Sequence, residues 1–235
     1  MLVAEIVIPC FNEENNLEKL ISECEKVAKL SKYQVGFILV NNGSTDRSEE
    51  RFLELVEGIN CIKYVSLTVN KGYGGGILAG LELATAPISG WTHADLQTPL
   101  ADCLVGVRSI QSGEDFAKGR RFGRSKGDKL FSLGMGLFES VLFRERLFEI
   151  NAQPTIFRTE LVKEWKRPPS DFSLDLYALV MASKGGLKIA RFPVKFLPRQ
   201  FGKSKWNLGF RSRAKFIRRT LFYSLALRRS LNEDL

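Results

Sequence analysis

Histidine is nearly absent from this chain: there is one, His93. The four cysteines, Cys10, Cys24, Cys61 and Cys103, stand far apart. They form no CxxC pair and have no His-rich partner segment, which argues against a structural zinc site. Buried free thiols in a reducing compartment are expected instead. No apolar run reaches the roughly 20 residues of a membrane span. The first residues lack the basic-then-apolar order of a secretory leader, and residues 3–9 read as a buried strand. Acid is missing from one long stretch: Leu176 to Asn232 contains no Asp or Glu but 14 Lys and Arg. The net charge of +9 therefore belongs to the C-terminal quarter. An acidic partner such as phosphate groups, an anionic membrane or nucleic acid would meet the protein there. Internal repeats, low-complexity segments and a clear linker are also missing.

What is present is an ordinary globular composition, 44% hydrophobic and 26% charged over 235 residues. That length is enough to bury a sizeable core. Val3 to Pro9 is a mostly apolar strand with proline as its stop. Asn15 or Asn16 is placed to cap a helix through Leu17, Leu20, Ile21, Cys24, Val27 and Ala28. Val35 to Val40 is a second strand, followed by the polar loop Asn41 to Asp46 and a helix through Phe52, Leu53 and Val56. Cys61 to Leu67 is a third strand. A glycine loop, Gly72-Tyr73-Gly74-Gly75-Gly76, precedes a helix through Leu78, Leu81 and Leu83. Ile88 to Trp91 is a fourth strand. Four strand–helix alternations imply an α/β fold whose central sheet is mostly parallel and covered by helices on both faces.

The second half is less regular. Asp115 to Gly119 and Asn151 to Arg158 read as strands, and residues 125–148 as helix-rich. Ser173 is placed to cap a helix from Leu174 to Ala182, with Asp175 in its first turn. Leu187 to Leu197 alternates like a half-buried strand. A basic loop runs from Pro198 to Trp206, and a strongly basic helix from Ser212 to Arg229.

The fourth strand gives way to Thr92-His93-Ala94-Asp95-Leu96-Gln97-Thr98-Pro99. In an extended segment His93, Asp95 and Gln97, at every second position, would point the same way. Ligands of open α/β sheets bind outside the carboxyl ends of strands. A metal ion held there could bridge the oxygens of a diphosphate. The plainer reading is a strand end that turns polar as it leaves the core.

Four polar loops follow four strands: Phe11-Asn12-Glu13, Asn41 to Asp46, the glycine run, and His93 to Gln97. With Lys118-Gly119-Arg120-Arg121 and Arg199 to Lys205, their order and spacing resemble the family 2 glycosyltransferases of the GT-A (nucleotide-diphospho-sugar transferase) fold. The polyprenyl-phosphate hexose synthase branch, which includes the dolichyl-phosphate mannose synthases, is the most similar. The resemblance implies a GT-A domain over residues 1–206, with a nucleotide-sugar half to about residue 98 and an acceptor half from about 99 to 206. Residues 207–235 would form a basic amphipathic C-terminal helix. The implied activity moves a hexose, with inversion, from a nucleotide-diphosphate sugar to a polyprenyl phosphate or a surface-glycan precursor. Mg²⁺ or Mn²⁺ is the implied cofactor.

Residue by residue, the resemblance implies donor binding by Pro9, Asn12, Glu13, Asn42, Gly72, Tyr73, Gly74, Asp95, Arg199, Ser204 and Lys205. It implies metal binding by Asp95, Gln97 and His93. Asp175 matches the acidic residue that serves hydroxyl acceptors as base, while a phosphate acceptor would lean on Arg120 and Arg121. Asn42 and His93 stand where the family has Asp. An amide both donates and accepts, and imidazole suits Mn²⁺ better than Mg²⁺. Asp46 reads equally well as a helix cap, and Asp175 as a first-turn acid. The basic C-terminal helix suits an anionic membrane surface, with packing on the domain as the competing reading. A cytoplasmic protein held on the inner face of the membrane is expected, with no nucleic-acid partner. The rival reading is a GT-A-fold protein of little or no activity that binds a nucleotide sugar or a partner.

Overall fold

Alternate residues of the first strands face two different cores. The computed structural model describes residues 1–32, 34–198 and 210–233, and of 210–216 the helical backbone alone. In chain order the elements are β1 (Ala4–Cys10), α1 (Leu17–Leu30), β2 (Val35–Asn42), α2 (Ser48–Val56), β3 (Ile62–Leu67), α3 (Gly72–Leu81), β4 (Ile88–Trp91) and α4 (Asp102–Gln111). Then come β5 (Phe116–Phe122), α5 (Lys126–Phe143), β6 (Thr155–Arg158), a 3-10 helix (Thr159–Glu164), α6 (Leu174–Lys184), β7 (Ile189–Lys195) and α7 (Phe210–Glu233). Ile6 and Ile8 of β1 and Phe37 and Leu39 of β2 join Leu20 of α1, Phe52 of α2 and Val107 of α4 in one core. Val7, Ile38 and Val40 join Ile77 of α3, Phe143 of α5, Leu179 of α6 and Leu227 of α7 in the other. Successive side chains of a strand point to opposite faces, so a sheet covered twice needs strands that are apolar throughout.

The seven strands lie in the order β3-β2-β1-β4-β6-β5-β7. The pairs β1–β2, β1–β4, β2–β3 and β5–β7 are parallel. β6 runs antiparallel to both β4 and β5. The carboxyl ends of β1, β2, β4 and β5 and the amino end of β6 therefore share one edge of the sheet. Register there matters for the site. Thr155 is paired with Trp91 on one side and with Lys118 on the other, so three neighbouring strands present these side chains at one level.

Several local expectations change. The glycine run is not a loop but the first turns of α3. β1 continues through Pro9 to Cys10. β5 extends through Arg120 and Arg121 to Phe122, and β6 is confined to four residues. Neither Asn16 nor Ser173 caps its helix with its side chain. Asn16 instead donates to the Glu13 carboxylate, and Asp171 accepts from the backbone N–H of Ser173 at 2.8 Å. Cys10, Cys24 and Cys103 are buried free thiols, and Cys61 is half-buried.

α7 packs against α5. The Ser224 hydroxyl donates to Glu139 at 2.7 Å, and Leu227 lies in the second core. Phe222 and Leu225 on the same helix stay exposed. Its apolar residues thus divide between the domain and solvent.

Candidate active site

The loops after β1 and β2 are tied together by side chains. Asn12 adopts a left-handed backbone, φ 57°, a conformation asparagine tolerates better than most residues. Its N–H donates to Ser44 Oγ at 3.0 Å, and its Oδ1 accepts from the Thr45 N–H at 2.8 Å. The Glu13 N–H donates to Ser48 Oγ at 2.9 Å. Asp46 accepts from the N–H groups of Glu14 and Ser48 at 3.3 and 3.0 Å, but the capping position of α2 is Arg47, so Asp46 ties the two loops together and is not the helix N-cap. Asn42 is buried and uses its amide in both directions: Nδ2 donates to the Gly72 carbonyl at 2.8 Å, and Oδ1 accepts from the Lys71 N–H at 3.0 Å. An ionised aspartate could not make the first of these bonds.

The helical glycines let α3 approach another backbone. A Cβ on Gly72, which has φ +81°, would lie 2.5 Å from the Ser170 carbonyl oxygen. On Gly74 it would lie 2.5 Å from that of Pro169. On Gly76 it would crowd Asn42 and Pro9 at 2.9 and 3.2 Å. The contact is sealed by the Gly75 N–H donating to Ser170 O at 2.9 Å. This brings Tyr73 between two rings: Phe172 stacks on it at 4.5 Å, and the His93 ring lies 5.4 Å away.

The segment after β4 does not stay extended. Ala94 and Asp95 form a turn and Leu96 takes φ 53°, so the every-second-residue alignment of His93, Asp95 and Gln97 is lost. Gln97 faces the end of β7, its Nε2 donating to the Leu197 carbonyl at 3.1 Å while Leu197 N–H donates to Gln97 O at 2.7 Å. Asp95 is buried and accepts from the Gln97 N–H at 3.1 Å. Among the described residues no group of three or more His, Cys, Asp or Glu is placed to hold a metal ion. The donor set at this corner is one carboxylate and one imidazole. That set fits a divalent ion held largely by substrate phosphates, since Mg²⁺-type sites commonly use one or two carboxylates plus phosphate oxygens.

Asp175 lies at the bottom of the site, inaccessible to water. Its Oδ1 accepts from Gln153 Nε2 at 2.7 Å, Lys118 Nζ at 3.1 Å and Trp91 Nε1 at 3.3 Å. Its Oδ2 accepts from the Tyr73 hydroxyl at 3.3 Å. Lys118 also donates to Thr155 Oγ1 at 2.6 Å. Burial pulls the Lys118 ammonium down to about 8 against the opposing charge of Asp175. Burial, then Asp175 beside it, push the Tyr73 phenol well above its ordinary range.

Arg120 is exposed, whereas Arg121 donates to Glu149 Oε2 at 2.8 Å and lies over the Phe196 ring. Arg121 also lines a small cleft of about 50 Å³ between α5, α6 and α7, together with Met135, Glu139, Phe172, Ser173 and Thr220. Burial raises the Glu139 carboxyl to about 7. Arg199, Ser204 and Lys205 lie outside the described residues.

The sequence of residues 5–168 matches the family model of glycosyl transferase family 2. The chain belongs to this family. The chain is 30% identical over 125 residues to the dolichol-phosphate mannosyltransferase of Pyrococcus furiosus, a match covering 53% of this chain and 34% of that protein. Over 128 residues it is 31% identical to the undecaprenyl-phosphate 4-deoxy-4-formamido-L-arabinose transferase of Proteus mirabilis, covering 54% of this chain and 38% of that one. The matches thus span about a third of these relatives' lengths. In fold it resembles glucosyl-3-phosphoglycerate synthase from Mycobacterium tuberculosis in complex with Mn²⁺, UDP and glucosyl-3-phosphoglycerate. The TM-score is 0.71 at 19% identity, covering 97% of this chain and 80% of that one. The shared fold is the GT-A fold.

In this member of glycosyl transferase family 2 one sheet edge gathers Asn12, Asn42, Tyr73, Asp95 and Arg121. Gln153, Trp91 and Thr155, which complete the Asp175 network, were missed by the sequence reading. So was Lys118 as an ion-pair partner. The signal available was Lys118 itself, a lysine inside a strand whose neighbours are apolar.

Proposed function

We propose that the enzyme transfers a hexosyl group from a nucleotide-diphosphate sugar to a polyprenyl phosphate, with inversion at the anomeric carbon. The observation that carries the reading is the convergence of the β1, β2, β4 and β5 ends, with Asp95 at one corner and Arg121 beside a partly apolar cleft. Pro9, Asn12, Glu13 and Asn42 face the nucleoside in this reading. Gly72, Tyr73 and Gly74 border the donor, and Arg199, Ser204 and Lys205, outside the described residues, are assigned to binding its diphosphate from the sequence pattern. Asp95 and His93 hold Mn²⁺ or Mg²⁺, with Gln97 orienting the turn. When bound, the ion neutralises charge on the leaving diphosphate.

The acceptor phosphate, held by Arg121 with Arg120 nearby, attacks the anomeric carbon. A new carbon–oxygen bond forms as the bond to the diphosphate breaks, and the nucleoside diphosphate leaves. A phosphate nucleophile is already anionic and needs little base catalysis. That agrees with an Asp175 whose oxygens are already engaged by four donors, so Asp175 acts here by positioning Tyr73 and Gln153.

Among the described residues no helix is long and apolar enough to cross a membrane. α5 nonetheless exposes Leu130, Leu133, Leu137 and Val141 along one side, and α7 exposes Phe222 and Leu225. In the proposed reading these faces, with the arginines of α7, rest on the anionic inner surface of the membrane and present the lipid to the cleft.

The test is transfer. UDP- and GDP-hexoses, with Mn²⁺ and a short polyprenyl phosphate, should give a glycosyl phospholipid detectable by mass spectrometry, and Arg121→Ala should abolish it. Transfer to neutral glycans alone would replace this reading with a hydroxyl acceptor. Absence of transfer with retained nucleotide-sugar binding would favour a binding protein.

A further inference from the structure

Three arginines converge beside one carboxylate next to the cleft. Arg121 and Arg124 both pair with Glu149, which is held in a left-handed backbone, φ 49°. Arg191 of β7 donates to the carbonyl of the preceding residue, Phe148, and Glu149 is the opposing charge that acts on it. The Arg124 side chain is only 6% exposed. It donates through Nη1 to Ser132 of the cleft wall at 2.7 Å, yet its Nε has no partner among the described residues. Nη1 of Arg191 is likewise buried with no partner among the described residues. Glu149 is thus the one carboxylate paired with Arg121 and Arg124, Asp128 being a second negative charge that acts on Arg124, and among the described residues two buried guanidinium N–H groups are unsatisfied. Burial lowers Arg124 and brings Arg191 down to about 10.

A buried charged donor without an acceptor is costly. Guanidinium groups are shaped to take phosphoryl oxygens in pairs. A phosphoryl group offers three oxygens where Glu149 offers two, and it carries more charge.

We propose that Arg121, Arg124 and Arg191 form a phosphoryl-anion site, and that Glu149 is its internal stand-in, displaced when the phosphate arrives. For the acceptor this rests on the reading of Arg121 given above. Glu149 also begins the segment that leads to Gln153, its carbonyl accepting from the Ala152 N–H at 3.0 Å. Displacing Glu149 therefore pulls on a segment that ends at Gln153, whose amide donates to Asp175 at 2.7 Å, so arrival of the anion is felt in the buried network.

The experiment measures binding of inorganic phosphate and of a short polyprenyl phosphate, by calorimetry and by melting temperature, with the full chain. Glu149→Gln removes the competing charge and should bind inorganic phosphate about tenfold tighter than wild type, the size of one charge-assisted hydrogen bond. Its melting temperature should rise more steeply with phosphate. Adding Arg124→Gln should cancel both gains. Glu149→Asp keeps the charge but withdraws it by one methylene, and should also bind more tightly; it serves if the glutamine variant does not fold. Unchanged or weaker binding in both variants would overturn the proposal and make Glu149 purely structural. If inorganic phosphate shows the gain but the polyprenyl phosphate binds neither protein, the anion site stands and the lipid acceptor falls.

Discussion

Lys118 and Asp175, 57 residues apart in sequence, meet at 3.1 Å with both side chains withdrawn from water. The pair joins β5 to the first turn of α6 beneath Tyr73. Attraction between buried charges is largely consumed by their desolvation, but removing one partner strands the other. Asp175→Asn should therefore lower unfolding stability by about 3–5 kcal/mol in a urea titration. The double variant Lys118→Met, Asp175→Leu should recover most of that loss. A single variant as stable as wild type would show that the pair does not hold the site together.

Asn42 tests the meaning of its departure from the family pattern. Asn42→Asp would set a carboxylate oxygen against the Gly72 carbonyl in place of a donor. A cost of about 1–3 kcal/mol is expected for the lost bond and the unpaired carbonyl, read as a lower melting temperature. Retained stability would mean that the start of α3 rearranges freely.

Glu139 predicts a pH slope. Its ordinary value is 4.5 and burial raises it to about 7 in the folded chain. Between those values the unfolded chain has lost the proton and the folded chain keeps it. Stability should fall as pH rises from 4.5 to about 7 and level off above. A neutral Glu139 can donate to Ser224, leaving the Ser224 hydroxyl free to donate to Thr220 O at 2.8 Å. Glu139→Gln keeps such a donor without titrating. It should flatten the slope and exceed wild type at pH 8 in thermal melts, whereas an unchanged slope would remove Glu139 as its source.

The exposed faces of α5 and α7 predict membrane attachment. Co-sedimentation with anionic vesicles should be strong at low salt and weaker at high salt. Leu133→Glu with Leu137→Glu should reduce it while leaving the fold intact by circular dichroism, because both residues are already exposed. No binding at low salt would retire the membrane reading.

The strands of the first half were legible because sheet burial on both faces writes continuous apolar runs, as in Val35 to Val40. The glycine run was read as a loop because glycine disfavours helix. What overrides that preference is the backbone of Pro169 to Asp171, nearly a hundred residues away, which local sequence does not reveal. The turn at Ala94 to Leu96 was hidden for a similar reason: a leucine with φ 53° is imposed by its surroundings. Asp175 was legible as a candidate but not its partners. Lys118, Thr155 and Trp91 come together only through the register of three strands, one of them reversed.

In the proposed function Asp95 and His93 bind a nucleotide diphosphate through a divalent ion. Calorimetric titration of UDP and GDP, with Mn²⁺ and then with chelator, tests it most directly in wild type, Asp95→Ala and His93→Ala. Metal-dependent binding of one nucleotide is expected, lost in Asp95→Ala and weakened in His93→Ala. Equal affinity in wild type and Asp95→Ala, or binding indifferent to chelator, would contradict it.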